Sequence, residues 1–159
     1  MEQAAVGKVS YLDVQAGMNF TYNNQENFFM KVSASAMHLN QAKESFINSD
    51  NRLAIRPIAS IEVEYKTNDN YIFKPSAYYT TQKKASEIVV GASGHLNLVR
   101  GNGRQFNTQS NELLHGIYYR IGDALIFSTG YKFGNTSLNI SYDYTISKLN
   151  LANKGNGAF

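Results

Sequence analysis

The chain has no cysteine, no tryptophan and only two prolines in 159 residues. Without cysteine there can be no disulfide, no thiolate metal site and no cysteine nucleophile. Charged residues make up 17%, below the quarter or so usual in globular domains. The net charge of +3 is scattered singly or in pairs such as Lys83-Lys84, without the dense basic patch that nucleic acid requires. No run approaches the roughly 18 consecutive apolar residues of a membrane-crossing helix, so a helical membrane protein is excluded. A mean hydropathy of −0.36 says nothing about membrane strands, which alternate and average to a polar value.

What is present points to β-structure. Aromatic residues reach 13%, with 11 Tyr and 9 Phe, and Gly occurs twelve times. Asn and Ser are also frequent, which together suits strands joined by polar turns. The dominant signal is a period of two. In 138–147, Leu138, Ile140, Tyr142, Tyr144 and Ile146 share one face, and Asn139, Ser141, Asp143, Thr145 and Ser147 share the other. Its length matches a transmembrane β-strand. The same alternation predicts strands over 12–22, 28–35, 53–65, 71–81 and 86–98, with weaker ones near 113–120 and 123–132. Turn signals separate them at Asn23-Asn24, Thr67–Asn70, Gln82–Lys84, Gly122-Asp123 and Gly134-Asn135. Two connections, 37–51 and 99–111, are longer. The expectation is an all-β chain of about eight antiparallel strands in up-and-down order, one domain over 1–159 or the C-terminal part of one, with no second domain.

The polar face distinguishes a membrane barrel from a soluble sandwich. A water-facing strand usually carries Lys, Glu and Thr. Here small Ser, Asn, Gly and Thr predominate with isolated charges, as in a crowded polar lumen. On the apolar face, Tyr22 and Phe28 flank one turn and Tyr65 and Tyr71 another, matching an interfacial aromatic girdle. The reading favoured over a soluble β-protein is therefore a transmembrane β-barrel, the chain supplying about eight strands of a larger one. Met1–Val6 shows no basic region followed by an apolar core. No secretion leader is visible there, so the sequence is expected to be an incomplete or internally started piece of an exported protein.

Several segments then resemble one family in order and spacing. Ala34–Ala42 followed by Ser45-Phe46 resembles the "HLNQP…SF" stretch of the PorP/SprF family. Arg56-Pro57 is similar to its strand opening, and Lys74-Pro75-Ser76 to its "KPS" strand. Leu114–Arg120 with Asp123-Ala124 resembles its "GxxYR…DA" hairpin, and Tyr142–Leu149 its closing "YDxTxSxL" motif. Ala42 departs from the pattern, standing where the family often has Pro. The resemblance covers about residues 11–159 and lacks the family's front part and last strand. It implies a non-enzymatic integral outer-membrane β-barrel of Bacteroidota, embedded in outer-membrane lipid. Such a barrel works with type IX secretion and gliding machinery and helps export or hold surface adhesins. The rival reading is a small outer-membrane or lipocalin-like barrel that binds or conducts a small ligand.

Candidate site residues follow from this frame. The long polar loop over 38–51 is the expected partner-binding element, carried by His38, Asn40, Ser45 and Asp50, since long loops on rigid scaffolds often bind. Arg56, Glu62, Glu64 and Asp143 are expected as polar residues of the lumen. Glu62 and Glu64 share a face with Arg56 and Lys66, which reads as interior ion pairs rather than an acid–base pair, because no nucleophile or oxyanion element accompanies them. His38, His95 and His115 have no acidic partner at ligand spacing, so no metal or other cofactor is expected. Gly101-Asn102-Gly103 reads as a hairpin turn and Ser45 has no nucleophile motif around it.

Overall fold

The computed structural model describes residues 11–24, 26–43, 52–98 and 111–147. Among these, eight strands form a single sheet. They are β1 (Ala16–Asn23), β2 (Phe28–Met37), β3 (Arg56–Asn68), β4 (Tyr71–Gln82), β5 (Ala85–Asn97), β6 (Asn111–Arg120), β7 (Ala124–Phe133) and β8 (Thr136–Thr145). The order is β1 to β8 without a crossover, and each neighbouring pair is antiparallel, five of them joined by short turns and β2–β3 and β5–β6 by longer connections. The sheet is not closed: β1 pairs with β2 only and β8 with β7 only, so two edges are open. The expected up-and-down β-architecture stands, as part of a barrel wall.

The register keeps like with like. Phe20 sits beside Val32, which sits beside Ile61 and then Ala77, Val90, Tyr119, Leu125 and Tyr144 on one face. A slip of one residue anywhere would drive charges onto that face, so the alternating pattern itself fixes the pairing. Turn chemistry assists. Asn24 Oδ1 accepts from the backbone N–H groups of Glu26, Asn27 and Phe28 at 3.1, 3.1 and 2.9 Å, closing the first hairpin.

One strand start differs from the sequence expectation. The alternation runs back to Leu12, yet β1 begins at Ala16. Beyond Met37 the partner strand turns away at His38, whose φ is +58°. The backbone of 12–14 then finds other partners. Asn40 Nδ2 donates to Leu12 O at 2.6 Å, Val14 N donates to Asn40 Oδ1 at 3.2 Å, and Leu39 N donates to Val14 O at 2.9 Å. At the start of β3, Leu53 N likewise donates to Ala42 O at 3.0 Å, so that strand opens at Arg56 instead of 53. The 101–103 turn lies outside the described residues.

Among the described residues no second layer covers either face. Among the described residues the buried hydrophobics are Ala42 and Ala124 alone. The apolar side chains stand out: Ile117 is 52% exposed and Phe127 45%, while the Glu112 and Asp143 side chains retain only 17% and 23%. A whole face of open apolar side chains departs from a water-soluble protein, which buries such a face against a second layer. It is the pattern expected of part of a membrane-barrel wall.

Candidate functional site

Antiparallel order puts the strand ends at two rims. Rim A carries the start of β1, the 38–55 connection and the turns at 83–84 and 121–123. Rim B carries the turns at 24–27, 69–70 and 134–135. On the apolar face, aromatic rings gather near each rim. Tyr22, Phe28, Tyr65, Phe73, Tyr131 and Phe133 lie toward rim B, and Tyr79, Tyr119 and Tyr144 toward rim A. Tyr22 and Phe28 touch across the first turn, ring centroids 6.2 Å apart. Between the two groups lie Val32, Ile61, Ala77, Val90, Ile117 and Ile140. From Tyr71 to Tyr79, β4 advances about 26 Å at roughly 3.3 Å per residue, comparable with the ~25 Å apolar band of membrane barrels.

The polar face is organised by charge. Lys31 Nζ and Glu62 Oε1 approach to 3.5 Å across their register pair. Lys74 pairs with Glu64. His95 Nδ1 lies 3.6 Å from Glu112 Oε2, and Lys132 Nζ lies 2.9 Å from Glu112 Oε1. These groups form a belt of mixed sign running across β2 to β7. Near rim A, Arg120 reaches three carboxylates, Glu87, Asp123 and Asp143, each at 3.1 Å. The Arg120–Asp143 bond spans β7 above Ala124, 2% exposed, whose small side chain leaves the path clear.

The expected lumen residues Glu62, Glu64, Arg56 and Asp143 therefore all lie on the polar face, but the expected pairing of the glutamates with Arg56 and Lys66 is corrected. Neighbours across the ladder are closer than neighbours along a strand, so Glu62 takes Lys31 and Glu64 takes Lys74. Arg56 instead donates from Nε to Thr80 Oγ1 at 3.1 Å, and Thr80 donates on to Pro57 O at 3.0 Å. Lys66 meets Asp69 at 3.7 Å. Lys31, Lys74, Glu87, Glu112, Arg120 and Lys132 were not singled out from the sequence. Each sits in the polar phase of its strand, but their grouping depends on register.

Of the loop candidates, His38 and Asn40 are engaged at its root. His38 Nδ1 lies 3.1 Å from both carboxylate oxygens of Asp13, and the Asn40 amide makes the two backbone bonds already described. Lys43 and Arg52 then form an isolated antiparallel bridge. Ser45 and Asp50 lie outside the described residues. The three histidines occupy three separate places: His38 beyond β2, His95 on the polar face and His115 on the apolar face.

A single sheet with its greasy side bare, aromatic rings at both rims and its charges paired on the opposite face defines a wall of a membrane β-barrel. The family comparison agrees: the family model for the type IX secretion system membrane protein PorP/SprF matches residues 1–159. The chain belongs to that family. No curated protein and no solved structure gives a significant match.

Proposed function

We propose that the protein is a non-catalytic integral outer-membrane component of the type IX secretion machinery, a single β-domain that helps export or anchor surface adhesins by docking partner proteins. The observation that carries the membrane part is the bare apolar face, with Ile117 and Phe127 open in mid-sheet, opposite a face on which the charges pair with one another. Family membership supports the secretion role. Lipid covers the apolar face, and the open edges β1 and β8 require strand partners there, because unpaired backbone groups in hydrocarbon each cost several kcal/mol. The 38–51 loop, with His38, Asn40, Ser45 and Asp50, is the partner-binding element. A ligand-enclosing eight-stranded barrel is supported less, since β1 and β8 do not pair.

The absence of cysteine makes the membrane test direct. Single cysteines at Asn139, Ser141 and Asp143 should react with a membrane-impermeant maleimide in intact outer membranes, while those at Leu138, Ile140 and Tyr142 should not. Equal labelling of both sets would remove the membrane reading. Alanine at His38, Asn40, Ser45 and Asp50 together should lower the surface amount of an adhesin and its co-purification with the protein, with heat-modifiable gel migration retained. Unchanged adhesin display would remove the loop from the docking role.

A further inference from the structure

Along β4 to β7, between the mixed-charge belt and the Arg120 cluster, the polar face carries a patch of larger apolar groups set among Ser76, Ser93 and Ser128. Tyr78 and Val89 are register partners, Gly91 pairs with Tyr118, and Tyr118 pairs with Ile126. All are half-buried. The interior of a membrane barrel is ordinarily polar, so an apolar waist there is unexplained by the fold alone. Tyr118 lies flat on it. A β-carbon at Gly91 would come within 2.5 Å of Tyr118 Cδ1, and one at Gly116 within 2.9 Å of its Cε2. The two glycines thus leave room for the ring, as they also do for Ile117 O and Ser128 Oγ.

Beside this patch lies a recess of about 230 Å³ lined by Glu62, Lys74, Ser76, Ser93, His95 and Tyr118. That is below the roughly 300 Å³ at which small-molecule pockets begin, and suits one side chain better than a whole ligand. The charges above and below argue for the chemistry of the rest. Lys31, Lys74 and Lys132 alternate with Glu62, Glu64 and Glu112, so a polyanion meets as much repulsion as attraction. An extended polypeptide with residues of both signs finds partners in both tiers. Along β6, from Glu112 to Arg120, the tiers stand about 26 Å apart at roughly 3.3 Å per residue, the reach of about eight extended residues.

We propose that this waist is a polypeptide seat: an extended segment lies along the interior face, one apolar side chain resting on Tyr118 and its apolar neighbours beside the recess and residues of both charge signs meeting the two charged tiers. The proposal rests on the reading that the polar face lines an interior.

The test uses the full chain in detergent micelles and two fluorescein-labelled probes, Lys-Glu-Ser-Phe-Ser-Lys-Glu and the same peptide with Ala for Phe. By anisotropy the Phe peptide should bind about tenfold tighter or more, the yield of burying one aromatic side chain. Tyr118→Ser should abolish that preference, as should Ile126→Ser, each checked for heat-modifiable migration. Equal binding of the two peptides, or a preference that survives both substitutions, overturns the seat. Single cysteines at positions 118 and 117 separate the two ways of failing. If Tyr118→Cys reacts with aqueous maleimide in lipid, Ile117→Cys does not, and the peptides still bind equally, only the seat is lost. If Ile117→Cys reacts and Tyr118→Cys does not, the interior reading falls with it.

Discussion

Tyr71 and His115 meet on the apolar face by passing over Gly94. The Tyr71 hydroxyl lies 3.1 Å from His115 Nε2, and the rings stack with centroids 5.8 Å apart and planes 23° apart. Tyr71 belongs to β4 and His115 to β6, so the contact bridges the whole width of β5. It exists because Gly94 has no side chain: a β-carbon there would collide with both the Tyr71 hydroxyl and the His115 ring. On the membrane reading proposed above, a polar pair on this face must satisfy itself, since hydrocarbon offers neither partner a water.

Gly94→Ala should therefore destabilise the fold by about 1–3 kcal/mol, the usual range for forcing atoms into occupied space. Tyr71→Phe should cost a similar amount, about 1–3 kcal/mol, by leaving His115 unpaired. The urea midpoint of unfolding from lipid vesicles measures both. In the double variant Tyr71→Phe with His115→Phe the polar group is gone from both sides, and most of the loss should return. If the double variant is as unstable as the sum of the singles, the hydrogen bond is not what the pair contributes.

Arg120 provides a second bridge, over β7, to Asp143. Its guanidinium serves three carboxylates at once, a geometry that a fork of five donors can meet and a point charge cannot. Arg120→Met leaves Glu87, Asp123 and Asp143 without that shared cation and should cost about 1–3 kcal/mol, the side chains being only partly exposed. Arg120→Lys should recover less than half of the loss. Full recovery with lysine would mean that charge alone, and not the three-way geometry, holds rim A.

How far the sequence alone reached is visible in these same residues. Asp143 is placed correctly by alternation in 138–147, because an unbroken period of two fixes its face without any partner. Arg120 is in the right phase too, yet its role is not legible: it depends on which residue of β8 sits two strands away, and that follows from the lengths of two turns. Glu62 and Glu64 fail in the opposite direction, since spacing along β3 suggested Arg56 and Lys66 while the ladder supplied Lys31 and Lys74. The early start expected for β1 has the same origin. Alternation continues through Leu12, but strand length is decided by where the partner turns, and a left-handed His38 leaves no mark on the pattern.

The root of the 38–51 loop gives a local prediction. Asn40 holds Leu12 and Val14 through two side-chain bonds, while His38 holds Asp13. Asn40→Ala should free the segment before β1 at a cost of about 1–2 kcal/mol of local stability. Limited proteolysis should then cut within 11–15 several times faster than in the parent chain, with an unchanged urea midpoint for the sheet. A fall in the global midpoint would show that the latch belongs to the cooperative unit rather than to a separately opening one.

The turn between β4 and β5 offers a test of sign within two adjacent residues of one type. Lys83 has φ +54°, whereas Lys84 is not among the residues with positive φ. A side chain at positive φ carries a backbone penalty of roughly 1–2 kcal/mol, and two-residue hairpin turns favour glycine where the first central residue is left-handed. Lys83→Gly should relieve that strain and raise stability by up to about 1 kcal/mol, after the extra freedom glycine gives the unfolded chain is subtracted. Lys84→Gly relieves nothing and should lower stability by about 0.4–1 kcal/mol. Each change removes one lysine from the same exposed turn, so differences in net charge cancel between them. Urea midpoints moving in opposite directions would confirm that backbone conformation governs this hairpin; midpoints falling together would show that the left-handed residue carries no strain that glycine can release.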